Sequence, residues 1–523
     1  MKRLKQLAGV LLSLAMLLTL ALPAYAVDGP FTITITGDPG HTYEAYQIFK
    51  GDLHETTTGD ESDVETVKIL SNIQWGSGIS EDGRTALEAE EGKDTAAKWA
   101  ESLENEAAAR AFAQKVGQYL ETAAATSTPG ADGDPYTITV TEPGYYLIKD
   151  KNNPNGEGQV HTEYILQVVS DVEVTPKGEA PTVEKEVQEV NDSTADEPTW
   201  GDTADHDIGD EVSFRLTGTL PSNYDTYTSY KYIFHDTLSS GLTFDPDSVT
   251  VTAGETPLKS TDYTLVYAAD GEGTAPEDGC TFHLEIANLK LIDGLTKEST
   301  IVVTYAATLN EGATIGGEGN PNTVHLEYSN NPNQGGEGDT GKTPENKVTV
   351  FTFQLDIDKV DEDEQPLKGA GFTLYKYDAD AKGEEEIDKW IPVGTEIKGE
   401  DLTSFTWEGL DAGRYKLVES TTPSGYNTME DIEFTITATF SDEDPVSVDA
   451  LNVAVTENPN LAEQPEMNGE PTTGTISSTV VNESGAQLPS TGGIGTTIFY
   501  VVGGVLVVRA VVLLIAKRRV ARR

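Results

Sequence analysis

Cysteine is almost missing from this chain. Its 523 residues include one, Cys280, so no disulfide can form within the molecule, although an exported protein would be permitted them. Positive charge is also scarce: 35 Lys and Arg stand against 88 Asp and Glu, a formal net charge of −53. A polyanion of this kind repels nucleic acid and anionic lipid, which argues against both as partners. The seven histidines are scattered, and no pair has zinc-ligand spacing. No Ser-His-Asp or Cys-His arrangement emerges, and no cofactor or metal is implied. What the chain does have is β-forming sequence. Its 21 Tyr, 14 Phe and many alternating Val, Ile and Thr runs argue for folded β structure over a disordered acidic chain. The length suggests about three domains.

The two ends are the plainest text. Residues 1–26 carry a basic start (Lys2, Arg3, Lys5), an apolar stretch from Leu7 to Leu22, and Ala24-Tyr25-Ala26 as a small-x-small cleavage site. This is a secretory signal, too short and too well furnished for cleavage to be a first membrane helix. The other end reads Leu488-Pro489-Ser490-Thr491-Gly492, then apolar Ile494 to Ala516, then Lys517-Arg518-Arg519. The apolar stretch is long enough to span a bilayer, and the basic tail marks the cytoplasmic side. Arg509 interrupts the span but lies close enough to the basic end to snorkel. Pentapeptide, span and basic tail in that order resemble a cell-wall sorting signal over 488–523. The resemblance implies cleavage between Thr491 and Gly492 by a sortase, with Thr491 left as a thioester on the enzyme.

Between the ends, three units are expected: 27–178, 179–352 and 353–487. The first opens with the alternating strand Phe31–Ile35 and closes with strand-like Tyr136–Val140 and Tyr145–Ile148. In its middle, Thr85 to Ala125 has helical spacing (Trp99, Leu103, Phe112, Val116, Leu120). A β sandwich with a helical insertion follows. At its end, Val172-Glu173-Val174-Thr175-Pro176-Lys177 alternates and breaks, placing Lys177 on the exposed side with Glu173. The segment resembles the pilin motif of backbone pilins, Trp-x3-Val-x-Val-Tyr-Pro-Lys. Val172, Val174, Pro176 and Lys177 match, while Val168 and Thr175 replace the Trp and Tyr. The resemblance implies that Lys177 is the nucleophile joining one subunit to the next.

The second and third units share an unusual pattern. Period-two alternation puts Lys185 on the apolar face of Val183 and Val187, Asp236 with Tyr232 and Phe234, and Asn322 with Val324, Leu326 and Tyr328. In the third unit Lys359 faces inward beside Leu355 and Ile357, Glu419 beside Tyr415 and Leu417, and Asn482 beside Ile476 and Val480. A lysine on the first strand, an acid in the middle and an asparagine on the last strand recur. Burying such groups unpaired is expensive. Intramolecular amide formation removes that cost. A desolvated lysine loses its charge and becomes nucleophilic, and a desolvated acid stays protonated, polarises the carboxamide carbonyl and shuttles protons as ammonia leaves. The product is neutral and does the stapling that a disulfide would otherwise do.

Residues 182–487 resemble the isopeptide-forming immunoglobulin-like domains of major pilins. The segment Tyr415-x-Leu417-x-Glu419-x3-Pro423-x-Gly425-Tyr426 is close to that family's E-box, with Thr422 where Ala is common. Gly369-Ala370-Gly371-Phe372-x-Leu374-Tyr375 resembles its early strand, and Gly319 to Pro332 its late segment. The resemblance implies bonds Lys185–Asn322 with Asp236 and Lys359–Asn482 with Glu419. Asn346 is a rival acceptor in the second unit, although its position reads as loop.

Two tempting signals fail on context. Gly336 to Thr343 matches the phosphate-binding loop formally, but lacks the strand before and the helix after. The acidic run Asp361 to Glu364 lacks EF-hand spacing and reads as a solvated hairpin.

The expectation is therefore a mainly β chain of tandem immunoglobulin-like β-sandwich domains. It would be secreted, anchored to the Gram-positive wall and polymerised as a pilus shaft. Implied partners are a pilin-specific and a housekeeping sortase, other copies of the chain, ancillary tip or base pilins, peptidoglycan, and a host surface ligand. The alternative is a monomeric wall-anchored adhesin with an inert Lys177. The paired acids act once, on their own chain, so the protein is not expected to be an enzyme.

Overall fold

The computed structural model describes residues 30–520 apart from 37–40, 59–64, 129–134, 152–164, 169–171, 175–179, 270–271, 274, 337, 384, 442–444, 462–463 and 486–493. The leader 1–26, Lys177 and the pentapeptide Leu488 to Gly492 therefore lie outside the described residues.

The N-terminal unit has two sheets. Phe31–Ile35 pairs antiparallel with Tyr136–Val140 and parallel with Val172–Val174. Tyr43–Thr58 pairs with Glu65–Trp75 and Gly144–Asp150. The expected helical insertion is present as Glu81–Glu88, Ala96–Glu101 and Glu106–Val116. Ser80, Thr95 and Asn105 cap them by accepting from Gly83, Lys98 and Ala108 backbone N–H groups. Trp99, Leu103, Phe112 and Val116 line their buried side, packed on Phe49 and Leu147. The parallel pairing of Val172–Val174 brings the chain leaving the unit back alongside its first strand. Val172 packs against that core and Glu173 is exposed.

The second unit packs two larger sheets around one core. One runs Thr199–Gly201, Val183–Glu189, Glu211–Thr219, Thr300–Leu309, Leu242–Ala253, Thr256–Pro257. The other is centred on Asn320–Ser329, Tyr232–Leu238 and Phe282–Ile286. Strict alternation along Asn320–Ser329 sends Asn322, Val324, Leu326 and Tyr328 inward. Asn322 is not on the last strand, as the sequence pattern suggested. Asn346–Phe351 follows it and pairs with it antiparallel. Asn346 thus begins a strand rather than sitting in a loop.

The third unit is a smaller two-sheet sandwich. Its first strand, Phe353–Asp361, lies parallel to its last, Thr475–Asn482, with Gln354 opposite Thr475 and Asp361 opposite Asn482. The facing sheet is built on Gly371–Tyr377, Gly413–Thr421 and Ile432–Phe440. Asp361 to Gln365 forms the expected turn: Asp361 Oδ1 accepts from Asp363 and Gln365 N–H, and Glu364 takes φ 60°.

Polar contacts fix the second unit to the third. Lys376 Nζ lies 2.7 Å from Asp192, 2.7 Å from Asp207 and 2.8 Å from Asp411, with the lysine and Asp411 buried. Burial opposes the Lys376 charge, but Asp411 and Asp207 hold the ammonium well above its ordinary pKa. Gly316, at φ 57°, brings its backbone against Gly474, where a Cβ on Gly316 would meet the Gly474 nitrogen at 2.2 Å.

Beyond the third unit, Ile494–Val520 is one helix. Its side chains are described from Tyr500 to Ile515, an exposed and almost wholly apolar run broken by Arg509. Among the described residues no helix is long and apolar enough to cross a membrane.

Candidate functional site

In the second unit the alternation of three separate strands delivers Lys185, Asp236 and Asn322 to one point in the core, each with no exposed surface. Lys185 Nζ donates to Asp236 Oδ2 at 2.6 Å and to Asn322 Oδ1 at 2.6 Å. Lys185 lies on one sheet, and Asp236 and Asn322 on the other, so the cluster bridges the sandwich. All three residues expected there are brought together.

A fourth member was not foreseen. Tyr305, from Thr300–Leu309 beneath the cluster, receives a hydrogen bond from Lys185 Nζ at 3.0 Å and one from Asn322 Nδ2 at 2.8 Å. It donates its own proton to Asp236 Oδ1 at 3.1 Å. The phenol's one donor and two lone pairs are all engaged, and the lysine's three N–H bonds point at Asp236, Asn322 and Tyr305. The rings of Phe214, Phe244 and Phe282 surround Tyr305, at centroid distances of 5.3, 5.5 and 5.0 Å.

Such a setting favours neutral forms. Burial pulls the Lys185 amine down to about 8, against the attraction of Asp236. Burial likewise raises the Asp236 carboxyl, opposed by Lys185 and Tyr305. The Tyr305 phenol is pushed well above its usual range, first by burial and then by Asp236. An amine and a carboxyl whose ionisations are drawn together exchange a proton at little cost.

Asn346 does not compete for the amine. Its Oδ1 accepts from the Lys185 backbone N–H at 2.7 Å, which ties the first strand of the unit to the last.

The third unit assembles only two of its three groups by direct contact. Glu419 Oε1 accepts from Asn482 Nδ2 at 2.7 Å, and Oε2 from the Met429 N–H at 2.9 Å. Lys359 lies on the neighbouring parallel strand and is fully buried, but its Nζ donates to the carbonyls of Val360 at 2.8 Å and Val480 at 3.1 Å. Neutral carbonyls do not compensate a buried charge, and burial lowers this amine to about 8 despite the pull of Glu419. Asn482 Oδ1 is buried and accepts no hydrogen bond from the described residues. The carbonyl end of the amide is therefore open to the lysine, while the acid holds the nitrogen that would leave.

The acids thus stand differently from the expected pose against the carboxamide carbonyl. Asp236 grips the lysine, and Glu419 grips the amide nitrogen. The seven histidines are also less scattered than their spacing implies, because three of them meet on one sheet.

With this geometry in view, residues 208–332, which carry Asp236, Tyr305 and Asn322, match the Gram-positive pilin backbone subunit 2, Cna-B-like domain. The chain is a Gram-positive backbone pilin. The pilin's residues 353–452 match a prealbumin-like fold domain, and 480–521 match the LPXTG cell wall anchor motif. It is 27% identical over 429 residues to the trypsin-resistant surface T6 protein of Streptococcus pyogenes serotype M6, covering 70% of this chain and 74% of that one. Its fold is similar to the solved T6 backbone pilin of the same serotype, with a TM-score of 0.51 at 19% identity over 88% of this chain and 99% of that chain. The expected mainly β, tandem-domain architecture is borne out. So is a secreted, wall-anchored surface location. Pilins of this family are structural proteins rather than enzymes. The anchor and the pilin domains imply sortase processing, polymerisation with other pilin subunits and attachment to the wall.

Proposed function

We propose that this pilin is linked head to tail through Lys177 of one subunit and Thr491 of the next, and that two internal Lys–Asn amide bonds do the work its single cysteine cannot. The observation that carries the internal bonds is the Lys185 amine held 2.6 Å from both Asp236 and Asn322 in a solvent-free core.

In the second domain Lys185 first gives its ammonium proton to Asp236 Oδ2, and the neutral Nζ attacks Cγ of Asn322. Tyr305, which touches both Lys185 Nζ and Asn322 Nδ2, passes its proton to the departing nitrogen and takes in its place the proton that Nζ sheds on bonding. The Cγ–Nδ2 bond breaks, ammonia leaves, and Oδ1 stays in the new amide. One C–N bond replaces another, and two buried ionisable groups become one neutral link plus a neutral acid. In the third domain Glu419 already holds the leaving nitrogen of Asn482, and Lys359 needs only a turn of its side chain away from two carbonyls.

Between subunits, the sortase breaks the Thr491–Gly492 peptide bond and carries Thr491 as a thioester. The Lys177 amine displaces the enzyme thiolate and forms an amide. A pilin-specific sortase would perform this step, and a housekeeping sortase would transfer the finished fibre to peptidoglycan. Ancillary tip or base pilins and a host surface ligand complete the set of partners.

Intact mass of residues 27–491 tests the internal bonds. The wild type should be light by two ammonia masses, and Lys185→Ala and Lys359→Ala should each regain one. A full theoretical mass for the wild type would sink both bonds. Separately, Lys177→Ala should abolish the ladder of covalent multimers on denaturing gels while leaving a folded monomer; a persisting ladder would remove Lys177 from the linkage.

A further inference from the structure

Three histidines far apart in sequence meet on the outer face of the second domain. His235 stands directly across from His283 on one neighbouring strand and from His325 on the other. Alternation places them opposite the inward-facing Asp236. The His235 ring is stacked on His325 at 4.5 Å between centroids and lies 4.0 Å from His283. The turn before Phe282–Ile286 adds Asp278 and Cys280. Asp278 Oδ2 lies 2.8 Å from His235 Nδ1, and the two Asp278 oxygens lie 2.9 and 3.0 Å from His283 Nε2.

One donor atom from each of His235, Asp278, Cys280 and His283 falls within 4.8 Å of the others. Bonds of about 2.0–2.3 Å to a central tetrahedral ion would hold such atoms roughly 3.3–3.8 Å apart, so small side-chain movements close the shell. His235 is only 6% exposed, and its Nε2 has no hydrogen-bond partner among the described residues. That nitrogen lies 3.5 Å from Glu327 Oε2. An ion on Nδ1 would fix the proton on Nε2 and aim it at Glu327, the outer-shell carboxylate that metal-bound imidazoles usually have. Asp278 and His283 remain partly exposed, which leaves a path for an ion.

We propose that His235, Asp278, Cys280 and His283 form a binding site for a zinc-class divalent transition ion. Two imidazoles, a carboxylate and a thiolate suit zinc; calcium and magnesium would call for oxygen throughout. On binding, the ion takes the place of the Cys280 thiol proton, which passes to solvent. The chain's net charge of −53 concentrates divalent cations around it. The bound ion would clamp the Asp278–Cys280 turn to the sheet that carries Asp236 and Asn322.

Cobalt(II), a coloured stand-in for zinc, tests this on the mature chain, residues 27–491. Titration should saturate at one equivalent, with visible d–d absorption and a near-ultraviolet thiolate-to-cobalt band, and zinc should bleach both. Cys280→Ser should remove the near-ultraviolet band, and His283→Ala should weaken binding at least tenfold, with circular dichroism unchanged in each. No saturable spectrum, a spectrum without the thiolate band, or binding unaltered in both variants would overturn the assignment. If His283→Ala fails to fold, the single-site Cys280→Ser comparison still decides.

Discussion

Asn322 presents its carboxamide nitrogen to the Tyr305 oxygen at 2.8 Å while the same carboxamide's oxygen faces the Lys185 amine at 2.6 Å. Attacking and leaving groups therefore lie on different partners, and Tyr305 touches both the leaving nitrogen and Asp236. Proton transfer by a positioned group contributes about 10²–10⁴-fold. Tyr305→Phe should keep the core packed and slow loss of the first ammonia by roughly 10²-fold, read as a time course of intact mass after refolding. Asp236→Asn should stop it. A Tyr305→Phe protein that is fully bonded as fast as wild type would reduce the tyrosine to a packing residue.

Lys185 and Asn322 are 137 residues apart in the chain. By the chain-entropy estimate for crosslinks, closing a loop near that length is worth about 5 kcal/mol. Asn322→Ala should lower the unfolding free energy of the second domain by about that amount or more, because it also strands the buried Lys185 beside Asp236. Denaturant melts of the two proteins check it, and Asn346→Ala should cost far less, since it removes one backbone hydrogen bond.

In the third domain, Asn482→Ala leaves Lys359 as a free buried amine. Its pKa is about 8 folded against 10.5 for the ordinary group. Below 8 both folded and unfolded chains carry the proton, and the folded state bears the cost of the buried charge. Between 8 and 10.5 the unfolded chain binds more protons, so stability rises with pH across that window and levels off above it. Thermal melts of this variant should climb from pH 8 to pH 10.5, and the bonded wild type should lack this climb.

Lys376 holds three aspartates from two domains. Removing one partner of a buried ionic group costs about 3–5 kcal/mol. Lys376→Ala should therefore loosen the junction, read as a broader distance distribution in small-angle scattering. Asp411→Asn in the same chain should recover part of the loss by removing the most buried acid.

How legible this was depended on which interactions are local. Lys185, Asp236 and Asn322 stood out because a strand's two-residue period fixes which way each points, and a polar residue on an apolar face is conspicuous. Tyr305 points inward on the same rule, but a buried tyrosine is ordinary; its role depends on which side chains stand above it on the opposing sheet. Lys359 and Asn482 were placed on the right face, yet their contact depends on how a long side chain turns, which alternation does not specify. Histidine spacing along the chain misled for a related reason: the register between strands made His235, His283 and His325 neighbours. Lys376 directly follows a segment, Gly369 to Tyr375, that resembles an early strand of its own domain, and two of its three acids belong to the domain before.

The parallel alignment of Phe353–Asp361 with Thr475–Asn482 has a mechanical meaning. The chain enters the third domain at the start of one strand and leaves it at the end of the other, so a pull on the two ends slides these strands past each other along their length. Every rung between them is then loaded together, and none can open alone as in a zipper. A fibre built from such units meets tension in its strongest direction before any covalent link is called upon.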